Sequence, residues 1–208
     1  MVIDWAGTGA MISGWGSWAS AAAVAYAAWK AANTFESWKL RRVTEREEEI
    51  AQRALVATFR VKEAFQWIRS PLKHSVELST AEDALKANPK WDDLTLLQKH
   101  KHASGQVYID RIVSFGDRFQ ALEECIPYAR AVFGHELGEA MHELHRQLWI
   151  FRTTVEAFVA NDTGDREITR SIMIELNDHQ LSGAGRITIS IKASIATIEA
   201  ICLPVLRP

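Results

Sequence analysis

The chain has 208 residues, a formal net charge of -2, 48% hydrophobic residues and 24% charged residues. This is the composition of a globular protein, and it excludes wholesale disorder and a collagen-like chain. Because the net charge is close to zero, the chain also lacks the strong basic field on which many nucleic-acid binders depend, so we expect no nucleic-acid partner.

The first predicted element is a helix without charged residues that runs from Trp5 to Trp29. At about 1.5 Å per residue this helix is about 37 Å long, which is enough to cross a hydrocarbon core of about 30 Å. Basic residues follow it between Lys30 and Arg46, so the positive-inside rule places the N-terminus outside and the body in the cytoplasm. The sequence thus predicts a membrane anchor over residues 1–32 and a cytoplasmic helical bundle over residues 33–208.

This segment is built mainly from Ala, Gly, Ser and Trp, so an interfacial helix and a soluble core helix are the alternatives to a spanning helix. Its small residues Gly16, Ser20, Ala23 and Ala27 share one helix face, with spacings of 4, 3 and 4. Since small residues let membrane helices approach closely, this face predicts association with a second copy (a homo-oligomer) or with a membrane-protein partner. An Ala-rich helix also carries such stripes through composition alone.

The next predicted element is a long helix that ends at Ser70-Pro71, because the residue before a proline resists helical backbone angles. Asn33 and Glu36 resemble a capping box that restarts the helix after the anchor, although an unbroken helix fits equally well. No glycine or proline interrupts residues 34–69, and apolar residues recur there at helical spacing. This stripe consists of Val43, Ile50, Ala54, Ala57, Val61, Ala64 and Ile68.

Two helices, one short and one long, are predicted next. The short helix is capped by Ser79 or Thr80, and the long helix begins at Asp92 or Asp93. Pro127 kinks or ends the long helix. Its apolar face consists of Tyr108, Ile112, Phe115, Phe119 and Leu122.

The clearest pattern in the chain predicts a third long helix, because seven apolar residues alternate spacings of 4 and 3, as in a bundle seam. They are Leu137, Met141, Leu144, Leu148, Phe151, Val155 and Phe158. A turn over Asn161–Asp165, a shorter helix and a flexible loop over Ser182–Gly185 follow. The last segment alternates like a strand from Ile187 to Ile191, but it also fits helical spacing as far as Cys202. We predict a helix, because a lone strand has nothing to pair with.

The densest group of metal-ligand residue types lies on the third long helix, where Glu139 and His142 form one Glu-x-x-His pair and His145 follows. Di-iron bundles need two such pairs and two further glutamates, and the sequence holds no second pair. Glu139, His142 and His145 are therefore candidate metal ligands, and the alternative is that both histidines flank the apolar seam. Cys125 and Cys202 lack metal-site spacing and are predicted to be reduced thiols. No motif for phosphate, dinucleotide or nucleophilic chemistry occurs, so we predict no cofactor and no catalytic residue.

Three short motifs carry a likeness to other proteins. They are the join at residues 33–38 (Asn-Thr-Phe-Glu-Ser-Trp), the stop at residues 68–71 (Ile-Arg-Ser-Pro) and the ending at residues 199–206 (Glu-Ala-Ile-Cys-Leu-Pro-Val-Leu). In these motifs and in its layout, the chain resembles a group of short, uncharacterised bacterial single-pass membrane-anchored helical proteins. The resemblance implies an inner-membrane protein with one membrane helix and a cytoplasmic helical body, and it implies no activity.

The predicted fold class is all-α, with an N-terminal transmembrane helix followed by an antiparallel bundle of about four main helices. The predicted function is that of a non-enzymatic, membrane-anchored scaffold or accessory subunit that acts through helix–helix contacts. A metal- or cofactor-binding helical bundle and a membrane effector or sensor are the two alternatives.

Overall fold

The computed structural model describes residues 5–161, 165–183 and 185–207, with side chains described at Val24, 26–30, 38–39 and from Arg41 onward within those ranges. The described chain is helical and contains no β-strand, which confirms the all-α class and the helical reading of the last segment. Its helices are α1 (Trp5–Ile68), α2 (Ser75–Leu85), α3 (Leu96–Ser114), α4 (Gly116–Phe133), α5 (His135–Ala160), α6 (Arg166–Asn177) and α7 (Arg186–Leu206).

The chain divides into two compact units, Met1–Glu47 and Glu48–Pro208. The first unit holds the N-terminal part of α1, in which the described side chains of Tyr26 and Trp29 are exposed. The α1 backbone is helical without a break from Trp5 to Ile68, so no new helix starts at Asn33. The predicted association face lies outside the described side chains at Gly16, Ser20 and Ala23, and its last member, Ala27, is exposed. The predicted boundary after residue 32 stays a prediction.

The core of the second unit is built around α5, which contacts α3, α4, α6 and α7. The predicted seam of α5 is buried at Leu137, Met141, Leu144, Phe151 and Val155. These residues line one face because their spacing of 4 and 3 keeps them in phase with the helical turn. The helical bundle of the prediction is therefore confirmed.

The last five turns of α1 close the core from another side. From Ile50 to Ile68 the predicted stripe is buried, whereas Val43 at its start is exposed. Phe65 of α1 meets Phe119 of α4 edge to face, with ring centroids 5.3 Å apart. The helix ends at Ile68, three residues before Pro71, as the proline rule predicts.

Two predicted helix starts are wrong. The short helix α2 begins after His74, whose backbone N–H donates to Glu77 Oε2 at 2.9 Å, and neither Ser79 nor Thr80 caps it. The next helix begins after Thr95 rather than at Asp92 or Asp93. There Gln98 N–H donates to Thr95 Oγ1 at 3.3 Å and Thr95 N–H donates to Gln98 Oε1 at 3.0 Å, so a reciprocal capping box overrides the aspartates.

The predicted second long helix is in fact two helices. Phe115 leaves the helical region, with φ -106° and ψ 11°, and separates α3 from α4. Its apolar stripe stays in phase across this break, so the pattern does not reveal it. Pro127 lies inside α4 without ending it, and α4 ends instead at Gly134, whose φ of 86° is available to glycine without strain.

Among the described helices, α7 is the one that is long and apolar enough to cross a membrane, with a mean hydropathy of 1.7 in its best window. This property falls on the C-terminal helix and not on the predicted anchor in α1. Ile187, Ile191, Ile195 and Ile198 of α7 are buried, and α7 contacts α5. The apolar composition of α7 thus has a cause in the packing of the bundle, and the N-terminal anchor stays a prediction.

Candidate functional site

The three candidate metal ligands do not converge. The Glu139 carboxylate is ion-paired with the guanidinium of Arg130 on α4. His145 faces a different residue of α4, with 3.9 Å between its Nε2 and Glu123 Oε2, and His142 is exposed. Within the part of the chain that the structure describes, no group of three His, Cys, Asp or Glu side chains is arranged to hold a metal ion.

The two cysteines are free thiols, with Cys202 buried and Cys125 half-buried. Burial raises the pKa of the Cys202 thiol to about 11 and also raises the pKa of Cys125. A raised pKa keeps a thiol protonated at neutral pH, and the thiolate is the reactive form. The cysteines therefore sit in the core as small apolar side chains.

The turn between α1 and α2 is held by one arginine of α3. Arg111 donates to both carboxylate oxygens of Glu77, at 2.9 Å each, and to the carbonyl oxygens of Ser70 at 2.8 Å and Leu72 at 2.6 Å. The hydrogen bonds from Arg111 lower the pKa of Glu77. Bidentate arginine–carboxylate pairs of this kind combine charge with a fixed geometry. The backbone from Ser70 to Glu77 is thereby fixed against α3.

A second pair of side chains ties the same turn to the core. The Lys73 Nζ lies 4.3 Å from the centroid of the Tyr108 ring, as in a cation–π contact. Tyr108 is buried and its hydroxyl donates to Asn177 Oδ1 at 2.7 Å, which reaches the end of α6. Burial lowers the pKa of Lys73 to about 8 and raises the pKa of Tyr108 to about 12.

This fixed turn displays large apolar side chains to solvent. Trp67 is 65% exposed, Leu72 74% and Val76 71%. We call these three residues the α1–α2 corner. A groove of about 300 Å³ adjoins it between α2 and α3, and is lined by Val76, Val107 and Arg111 among others. Large apolar side chains on a rigid support are typical of protein-binding sites.

Behind the corner lies Arg69, a wholly buried arginine. Its Nε donates to the carbonyl oxygen of Glu175 at 2.9 Å and its Nη1 to Thr188 Oγ1 at 2.9 Å. Thr188 in turn donates to Asp178 Oδ2 at 2.6 Å. The Nη2 atom has no hydrogen-bond partner among the described residues. Burial lowers the pKa of Arg69, and the charges of Asp178 and Glu175 oppose that shift.

Asp178 completes this polar chain. Its carboxylate also accepts from the backbone N–H groups of Ser182 at 3.0 Å and Gly183 at 2.8 Å. Burial acts to raise its pKa, but the hydrogen bonds from Thr188 and from the two amides outweigh burial and hold the pKa below its usual value. The end of α1, the loop after α6 and the start of α7 are thus joined through charged groups.

The sequence did not reveal this arrangement. Trp67 and Leu72 fall off the predicted apolar stripe, which is the signal that would have marked them as exposed. Arg69 stood out only as part of the stop before Pro71, and its burial depends on α6 and α7. Comparison of the chain with protein-family models, curated proteins and solved structures gives no match.

Proposed function

We propose that the protein is a non-enzymatic scaffold or accessory subunit that binds a partner protein at the α1–α2 corner and is held at the bacterial inner membrane by its N-terminal segment. The observation that carries the binding role is the exposure of Trp67, Leu72 and Val76 on a turn fixed by Arg111. Arg111 and Glu77 neutralise each other, and the Lys73 ammonium lies against the Tyr108 ring, so the contact that the corner offers is mainly apolar. We therefore expect the partner protein to present a row of apolar side chains, such as one face of a helix.

The membrane role rests on the charge pattern of the sequence. No charged residue occurs from Trp5 to Trp29, and the basic residues that follow fit a cytoplasmic body with the N-terminus outside. Tyr26 and Trp29 lie at the end of this segment, with ring centroids 6.1 Å apart, and aromatic rings favour the headgroup region. The proposed association face of Gly16, Ser20, Ala23 and Ala27 would add helix–helix contacts within the membrane.

Fractionation of cells that express the full chain tests the membrane role. We expect the protein in the membrane fraction after a high-pH wash, and we expect Ser17→Asp to release it. A central aspartate opposes insertion by about 3 kcal/mol. Val43→Asp, on an exposed position beyond the segment, is the matched control and leaves the protein in membranes. A wild-type chain found wholly in the soluble fraction contradicts the membrane role.

Purification in mild detergent after crosslinking tests the binding role. We expect one partner band that Trp67→Ala and Leu72→Asp each remove. Trp149→Ala is the matched control, because Trp149 is 66% exposed on α5 and is not part of the corner. A partner band that survives both corner variants, or that Trp149→Ala removes equally, refutes the proposed site.

A further inference from the structure

A cavity of about 340 Å³ opens between α5, α6 and α7, on residues that the proposed function does not use. Its polar wall includes Glu143, Arg146 and Gln147 of α5, Glu175 of α6 and Arg186 of α7. Cavities of this size hold small organic molecules, and they bind specifically when a few polar groups are set in an apolar lining.

One side of the cavity is built and internally neutral. Glu143 Oε1 accepts from Gln147 Nε2 at 2.5 Å, from Ser190 Oγ at 2.8 Å and from Arg146 Nη2 at 3.0 Å. Its Oε2 accepts from Arg146 Nε at 2.8 Å. Gln147 is polar but only 2% exposed, because it lies on the core side of α5. This wall is therefore preorganised, and its carboxylate is already engaged.

Two other charged residues of the lining, Glu175 and Arg186, have no ion-pair partner among the described residues. Glu175 accepts from the backbone N–H groups of Arg186 at 2.6 Å and Ile187 at 3.1 Å, which leaves acceptor positions on both of its carboxylate oxygens. Across the described residues, no cation forms an ion pair with Glu175. The Arg186 side chain is exposed and makes no hydrogen bond or ion pair to any residue that the structure describes.

These two groups have complementary needs. A ligand that carries only a negative charge would be repelled by the Glu175 carboxylate. A ligand that carries only a positive charge would be repelled by the guanidinium of Arg186. A molecule with one charge of each sign satisfies both groups and leaves the lining neutral, because Glu143 and Arg146 already compensate each other. Ile150 and Ile187 supply apolar surface beside them.

We propose that this cavity binds a free α-amino acid with an apolar side chain, with its ammonium group at Glu175 and its carboxylate at Arg186. The backbone amides hold Glu175 in place before the ligand arrives, and a Cβ at Gly185 would lie 2.7 Å from Glu175 Oε2, so the carboxylate is closely seated. Arg186 pairs with the ligand carboxylate through two parallel N–H donors. The isoleucine side chains contact the apolar side chain of the amino acid.

Calorimetric titration of the full-length protein in detergent with each of the twenty L-amino acids tests this assignment. We expect binding of aliphatic members such as L-leucine. Isopentylamine lacks the carboxylate and N-acetyl-L-leucine lacks the ammonium group, so each should bind at least about tenfold more weakly than L-leucine, since a charged hydrogen-bonded contact is lost. The proposal is overturned if none of the twenty amino acids binds, or if both analogues bind as tightly as L-leucine.

Variants place the ligand in the cavity. Arg186→Gln should weaken amino-acid binding at least about tenfold with an unchanged unfolding transition, because its side chain is exposed. Arg152→Gln, at an exposed arginine of α5 that pairs with Glu156 at 3.5 Å, is the matched control and should bind normally. Unchanged affinity in Arg186→Gln refutes the site. Glu175→Gln is a second test of the site. The amino-acid affinity measured for this variant does not depend on whether the protein is bound to a membrane or to a partner protein.

Discussion

Arg69 is a buried arginine whose hydrogen bonds join α1 to α6 and α7. A wholly buried guanidinium is tolerated only when acceptors and negative charge surround it. Arg69 meets this condition through three segments, namely the carbonyl of Glu175, the hydroxyl of Thr188 and the charge of Asp178 beyond it. Each of these segments is therefore held in place by the same side chain.

Asp178→Asn tests this arrangement as a function of pH. The amide keeps the shape of the side chain but removes the charge that compensates Arg69, so we expect the free energy of unfolding to fall by about 1–2 kcal/mol at pH 7. The folded pKa of Asp178 lies below the unfolded value of about 3.9. Its contribution is thus complete above that value and is lost as the pH falls through the folded pKa.

Urea unfolding of wild type and Asp178→Asn at pH 7 and pH 3 measures this difference. The gap between the two proteins should narrow at the lower pH. Asp93→Asn, at an exposed aspartate, should leave stability unchanged at both values. A gap that stays constant from pH 7 to pH 3 shows that the charge of Asp178 is not the cause.

At the scale of the helices, the approach of α3 to α5 depends on the absence of a side chain. Gly105 of α3 is buried against Val159 and Val155 of α5. A Cβ at position 105 would overlap the Val159 Cγ2 methyl group. Valine is stiff at χ1 in a helix, so this methyl group has little freedom to turn away.

Gly105→Ala should therefore lower the free energy of unfolding by about 1–3 kcal/mol, since added volume strains a close contact. Gly116→Ala is the matched comparison, because nothing lies within 4 Å of a Cβ at the start of α4. That change should stabilise the protein by about 0.5–1 kcal/mol. Urea unfolding measures both, and equal effects would show that the spacing of α3 and α5 is not set by Gly105.

Periodicity predicted the helices well where burial is continuous. The seam of α5 and the stripe of α1 from Ile50 to Ile68 are buried as expected, because spacing alone decides which residues share a face. Helix ends were less predictable, since Thr95 and the aspartates before it are all good caps and only the reciprocal bonds with Gln98 select among them. The break at Phe115 left no trace in the pattern.

The candidate sites could not be predicted from the sequence, for a different reason. The α1–α2 corner depends on Arg111 reaching back about forty residues to a turn, and the cavity depends on three helices that meet. Hydrophobic spacing describes one helix at a time and says nothing of such meetings. The candidate ligands Glu139, His142 and His145 show the opposite case, in which residues close in sequence do not meet in space. Glu139 and His145 contact different residues of α4, and His142 is exposed to solvent.

At the scale of the whole molecule, α7 is an apolar helix with one buried and one exposed face. Its composition satisfies the length and hydropathy of a membrane helix, yet one of its faces is buried. Ile198 is fully buried, whereas Ile189 is 56% exposed on the other face. The two isoleucines therefore report separately on the packed and the open side of the same helix.

Ile198→Ala should lower the free energy of unfolding by about 2–4 kcal/mol, because it leaves a cavity in the bundle. Ile189→Ala should change it by less than about 0.5 kcal/mol, as is usual for an exposed position. Denaturant unfolding of both variants in the same detergent measures the contrast. Equal and small effects would mean that α7 is not packed in the core of the bundle.

Glu175 belongs to two neighbourhoods at once. Its backbone carbonyl receives the Nε of Arg69, and its carboxylate receives the first amides of α7. A ligand at the carboxylate and the buried guanidinium of Arg69 are therefore bound by the same residue, one through its side chain and the other through its backbone. A single glutamate thus lines the cavity and also binds the arginine that directly follows the longest helix of the bundle.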